Sequence, residues 1–223
     1  MKATIENAPV FTTLLVALNQ GESIRAEGGA MVSMSPGIEL KSKTQGKGLG
    51  GILKSAIGGE GIFVSEFTAN QAGEVVLAGP TPGDILEITL TGNTIMAQGG
   101  AYLAGSLELE LGTKGSFRAL MSGEGLFLQT IKGNGTVYLS CFGAIMHRTL
   151  ASGESYVVDS GHVLAFEESV QYRVKKAAKG LFSTVASGEG LVAEFTGPGS
   201  LWTQSRQISN FANVIGKLLP KRG

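Results

Sequence analysis

The chain has 223 residues, with 18 basic against 18 acidic side chains and a formal net charge of zero. That balance excludes the clustered Lys and Arg on which nucleic-acid binding rests, and Trp202 alone makes no stacking series for single strands. A single cysteine, Cys141, excludes an internal disulfide framework and fits a reducing, cytoplasmic setting.

The 34 glycines, set among 43% apolar residues, read as many tight turns between short strands. In chain order, residues 10–18 are an apolar run broken by Thr12 and Thr13. The run is too short to span a bilayer, lacks a small-residue cleavage site, and reads as a strand. Residues 85–90, 107–111 and 156–166 give the next strand signals, alternating or short apolar runs bounded by Gly, Asn, Asp and Ser. Lys-Gly segments beginning at 47, 114 and 179 suit a helical turn or two at most. In the tail, Ile208, Phe211, Val214, Ile215, Leu218 and Leu219 fall at helical spacing on one stripe. Ser209, Asn210, Asn213 and Lys217 lie mainly on the other side, and Pro220 stops the run.

These signals recur. "GEGIFVSEFT" at 59–68, "GEGLFLQTIK" at 123–132 and "GEGLVAEFTG" at 188–197 place Glu60, Glu124 and Glu189 at intervals of 64 and 65 residues. Each follows one of the Lys-Gly segments, and further upstream stand "GESIRAEGGAMVSM", "GDILEITLTGNTIMAQ" and "GESYVVDSGHVLAF". Three copies of one unit fill the chain, approximately 10–81, 82–150 and 151–207. A unit with one sheet face to bury closes on its neighbours, which implies a pseudo-threefold body spanning 1–207 rather than three independent domains. Residues 208–223 form the helix and tail.

Several motifs invite a sharper chemistry. "SGEGLFLQTIKGNG" (122–135) has the glycines of a phosphate loop, but a strand-like run follows it and no helix opens there, so it reads as a turn. "GKGLGG" (46–51) matches GxGxxG without room for a crossover helix, and reads as a structural loop. Threefold symmetry would gather Glu60, Glu124 and Glu189 into a cation-binding ring. Exposed turns that point outward are the plainer expectation. Spacing permits a transition-metal site of His147, Glu154 and His162, against a hydrogen-bonded structural role for His162. Cys141 sits in "TVYLSCFGAI", an apolar strand pattern that suits an inert buried thiol.

The blocks "LNQGESIRAEGGAMVSMSPGIEL", "PTPGDILEITL", "SGEGLFLQTIKGNGTVYLSCFGAI", "VVDSGHVLAFEESVQY" and "GPGSLWTQSR" together resemble the altered-inheritance-of-mitochondria family over residues 11–206. The resemblance implies an all-β fold of three TRAP-like repeats, similar to the tryptophan-RNA-binding attenuation protein. Their arrangement is double-stranded β-helix-like and pseudo-threefold, with a short C-terminal amphipathic helix after it. It implies no catalytic residues, and its fungal members are linked to mitochondrial inner-membrane organisation; likeness of fold transfers no function.

The expected function is thus a non-enzymatic scaffold or interaction protein, a homo-oligomer to which no catalytic, cofactor or metal site is assigned. The competing reading is a cupin-like small-ligand or metal-dependent enzyme. The helical tail is expected to pack first on the β body, second on a neighbouring subunit. A membrane surface comes third, since Lys217, Lys221 and Arg222 supply only weak attraction to lipid.

Overall fold

The computed structural model describes residues 1–44, 63–114, 126–176 and 191–220. The GEG motifs with Glu60, Glu124 and Glu189, the loop at 46–51 and the segments following Lys47, Lys114 and Lys179 lie outside the described residues.

Antiparallel strands dominate, and the first third displays their alternation plainly. In β2 (Thr13–Leu18), Leu14, Val16 and Leu18 are buried while the residues between them turn away. The expected strand at 10–18 therefore starts at Thr13, and Val10 and Phe11 before it are exposed. β2 is flanked by β1 (Lys2–Glu6) and β7 (Gly73–Ala78), and β4 (Met31–Met34) lies beyond β7. β6 (Phe63–Ala69) pairs with β3 (Ser23–Glu27) on one side and β5 (Ile38–Thr44) on the other.

In the middle third two long strands, β8 (Ile85–Gln98) and β11 (Leu128–Ser140), pair along most of their length, with a register shift between Lys132 and Asn134. β9 (Tyr102–Gly105) and β10 (Glu110–Lys114) both pair with β11. The strand expected at 107–111 begins only at Glu110. The Arg25 guanidinium takes the carbonyls of Leu107 and Leu109 at 2.9 Å each, which commits them to a side chain instead of a ladder.

In the last third β17 (Gly199–Gln204) pairs with β12 (Ile145–Leu150) and β14 (Val163–Glu167). β16 (Leu191–Thr196) pairs with β13 (Ser155–Asp159) and β15 (Gln171–Lys176). The apolar run 156–166 is split into two strands by a 3-10 turn, Ser160–His162. The Asp159 carboxylate starts that turn by accepting the Gly161 N–H at 2.9 Å.

Two strand joints bind the thirds together. β3 pairs with β9, setting Ala26 opposite Ala104, and β8 pairs with β14, setting Ala97 opposite Ala165. Backbone bonds repeat the link where each third begins: the Thr12 N–H donates to Gly83 O at 3.2 Å and the Asp84 N–H to Gly143 O at 3.1 Å. Three apolar clusters result, and each of the first two is completed by the next third of the chain. Leu103 and Ala104 of β9 join the first cluster, and Leu164 and Ala165 of β14 join the second. The third is built around Phe166, Tyr172 and Phe195 and takes Met96 and Leu128 from the middle third.

One half-buried carboxyl couples this fold to pH. Glu27, at the end of β3, has its pKa pushed from 4.5 to about 7 by burial. The unfolded chain gives up this proton near pH 4.5 and the folded chain near pH 7, so between these values the folded state holds more protons. Stability is therefore expected to fall as pH rises through that window. Glu27→Gln should flatten the fall and raise the melting temperature more at pH 8 than at pH 5. Identical melting profiles of variant and parent across this range would contradict the assignment.

Candidate functional site

Spacing permits a metal site of His147, Glu154 and His162, and the fold brings two of the three to one cleft. His147 stands on β12 opposite Trp202 of β17, and the two rings stack with centroids 5.1 Å apart and planes 20° apart. His162 ends the 3-10 turn, and its Nδ1–H donates to the Gln204 carbonyl at 2.8 Å, which leaves Nε2 as the free ring nitrogen. Both imidazoles line a cleft of about 250 Å³ with Met146, Arg148, Tyr156 and Val157. Across it the Arg148 guanidinium lies 4.2 Å from the centre of the Tyr156 ring.

Glu154 is elsewhere. Its Oε2 accepts the Ala151 N–H at 2.9 Å and closes the turn leading into β13. Glu22 does the same before β3, accepting the Asn19 N–H at 2.8 Å, so this carboxylate belongs to turn geometry. Among the described residues no three His, Cys, Asp or Glu side chains converge as a metal site. Cys141 is buried, as its strand pattern implies. Its S–H donates to the Gly143 carbonyl at 3.0 Å, and burial raises its pKa, which keeps the thiol protonated and unreactive.

The other candidate surface is the tail. Hydrogen bonds hold the chain as far as Gln207. Gln204, itself buried, accepts the Phe142 N–H at 2.9 Å and donates to Gln98 Oε1 at 3.0 Å and Gly161 O at 3.2 Å. The Arg206 N–H donates to Phe142 O at 3.1 Å, and Gln207 Nε2 donates to the Asp159 carboxylate at 3.3 Å. Beyond this anchorage α1 (Ile208–Leu218) forms where helical spacing predicts it, and it is strongly amphipathic. The expectation that its apolar stripe packs on the β body is not met. None of its residues is buried, and among the described residues its one ring contact is Phe211 edge-on to Phe142, 5.4 Å between centroids. Val214 is 59% and Leu218 77% exposed. Among the described residues no helix is long and apolar enough to cross a membrane.

Spacing alone missed the pairing of Arg148 with Tyr156, because β12 and β13 lie in different sheets and do not pair with each other. It also missed the outward Met31, Val32 and Met34 of β4, whose apolar sequence reads as core.

Comparison with known proteins places these features in context. A family model described as "Mitochondrial biogenesis AIM24" matches residues 3–206. An uncharacterised protein of Streptococcus pyogenes serotype M6 is 30% identical over 229 residues, covering 99% of this chain and 92% of that protein. The crystal structure of a Streptococcus pyogenes protein superposes with a TM-score of 0.82 at 29% identity, covering 98% of this chain and 99% of the other.

Proposed function

The chain belongs to the AIM24 mitochondrial-biogenesis family, and from that premise we propose that it is a non-enzymatic, self-associating scaffold of three β repeats that rests α1 on a membrane surface. The observation that carries this reading is the uncovered apolar stripe of α1, held at its root by the Gln204 and Gln207 hydrogen bonds. A helix of three turns is marginal alone in water, so its apolar face needs a partner. Magnitudes favour lipid contact through apolar burial over charge. Each apolar side chain fully buried contributes ~1.5–3 kcal/mol, whereas Lys217, Lys221 and Arg222 contribute about 1 kcal/mol each near an anionic leaflet.

The repeat reading is supported by strand pairing. In the first third the first strand (β2) pairs with the sixth (β7), the second (β3) with the fifth (β6), the third (β4) with the sixth, and the fourth (β5) with the fifth. With β8 and β11 each counted as two consecutive strands, the middle third follows the same scheme, and so does the last. The matched turn glutamates Glu22 and Glu154 support it as well.

Flotation with phosphatidylcholine vesicles, with and without phosphatidylglycerol, tests the lipid contact. The full chain should float with both, more strongly with the anionic lipid. Deleting 208–223, or replacing Val214 and Leu218 by Glu, should abolish flotation without moving the melting temperature. A chain that stays with the soluble fraction in both lipids would defeat the proposal. The two imidazoles in one cleft favour a second reading, a metal-dependent enzyme. Stoichiometric transition metal in protein purified without chelator, lost on His147→Ala, would establish it in place of the scaffold.

A further inference from the structure

The repeats meet one another through a constant joint, and among the described residues one second strand and one third strand lie outside it. In the middle third the third strand, β9, buries Tyr102, Leu103 and Ala104 at 1% exposure or less, and in the last third β14 buries Val163, Leu164 and Ala165 equally well. β4 holds the same place in the first third, against its sixth strand, yet Met31 is 40%, Val32 60% and Met34 38% exposed. The second strands show the converse. Ile24 of β3 and Ile95 of β8 are buried, while Tyr156 at the same place in β13 is 38% exposed; Val158, in the place of Ala26 and Ala97, is buried, and Val157 beside it is 48% exposed. Among the described residues β4 pairs with β7 alone and β13 with β16 alone.

Both internal joints bring the second strand of one repeat, antiparallel, against the third strand of the next. Among the described residues no third strand pairs with β13 and no second strand pairs with β4. An exposed apolar edge of this kind is a template for another chain. We infer that β13 of one molecule pairs antiparallel with β4 of a second copy, head to tail, and so continues the series of joints from chain to chain. The internal joints fix the register. Val158 corresponds to Ala26 and Ala97, each one residue before the end of its strand, and Ser33 corresponds to Ala104 and Ala165. Val158 therefore faces Ser33 of the second copy, and Val157 faces its Met34. The cleft beside β13, lined by Met146, Tyr156 and Val157, receives the flexible Met side chains of that strand. Such a contact is heterologous: the two surfaces differ, and repetition closes a ring or runs on as a filament. The inference rests on the repeat reading above and is independent of any lipid contact by α1.

Size-exclusion chromatography with light scattering on the full chain tests it. The parent should run as a whole-number multiple of the 23.0 kDa chain, and Val32→Asp and Val157→Asp should each run as single chains. Both positions are exposed, so melting temperatures should stay at the parent value. Each variant keeps one sound edge, so an equimolar mixture should form a particle of two chains and nothing larger. A symmetric β4–β4 or β13–β13 contact would instead leave one variant assembled on its own. A monomeric parent at high micromolar concentration, an edge variant that keeps the parent mass, or a mixture that stays monomeric overturns the inference. So does assembly that survives both variants and is lost with 208–223. Vesicle flotation of Val157→Asp separates the two proposals, because it persists when only the strand joint is broken.

Discussion

Phe195→Ala should lower the unfolding free energy by about 3–5 kcal/mol, the range for removing a buried aromatic ring. Phe195 is wholly buried on β16, the strand shared by β13 and β15. Its ring meets Phe166 edge-on, 5.1 Å between centroids, and Tyr172 at 6.2 Å. Among the described residues β13, at the edge of the third cluster's sheet, pairs with β16 alone, so these three rings carry much of that cluster's closure. A cost of that size is about a fifth or more of the ~5–15 kcal/mol that holds a typical domain. Phe195→Leu keeps most of the volume and should cost under about 1.5 kcal/mol. Urea melts of both variants decide the matter. A loss below about 1 kcal/mol for the alanine variant would mean that the aromatic cluster is dispensable.

The strands were legible because alternation and turn chemistry are local. Thr13–Leu18 and the first half of Ile85–Gln98 lie where their apolar periodicity puts them. The misplaced boundaries share a cause, long-range hydrogen bonds that periodicity does not carry. Arg25 reaches 82 residues along the chain to take the Leu107 carbonyl, which delays β10, and Asp159 with Gly161 interrupts an apolar run to start a turn. The helix too was legible in its extent, but what covers it was not, since a periodic stripe says only that some surface must meet it.

The same limit applies to the surfaces. "MVSM" and "YLAG" each pair with the last strand of their third of the chain and look equally apolar, yet one is exposed and the other buried. The difference is one of partners: β9 pairs with β3 as well as β11, whereas among the described residues β4 pairs with β7 alone. His147 and His162 line one cleft, as spacing permitted, whereas Glu154 was drawn in by its residue type. Its turn role becomes apparent only beside Glu22, which does the same work in the first third of the chain.

Gly83→Ala should be strongly disruptive. Gly83 lies where the starts of the three thirds of the chain touch, bridging Phe11 on one side and Gly143 on the other. A Cβ there would fall inside the van der Waals shell of the Cys141 carbonyl oxygen and press on the Gly143 nitrogen, both of them backbone atoms that no rotamer change can clear. Gly21 supplies the contrast. Its φ of +84° is unfavourable for alanine but nothing lies within 4 Å of an added methyl, so Gly21→Ala pays only the left-handed backbone penalty of ~1–2 kcal/mol. Gly83→Ala must displace one repeat against another, and should cost about 3 kcal/mol or more, the upper end for overpacking. Cys141 reports the displacement independently. Its thiol is 3% exposed and bonded to the Gly143 carbonyl, so the parent should react slowly with an aromatic disulfide reagent at neutral pH. Opening the junction in Gly83→Ala should raise the labelling rate at least tenfold under native conditions, while Gly21→Ala, remote from the junction, leaves it unchanged. Equal stability losses in the two variants, with a thiol protected in both, would show that the repeat starts tolerate separation and that the joints between strands alone hold the body together.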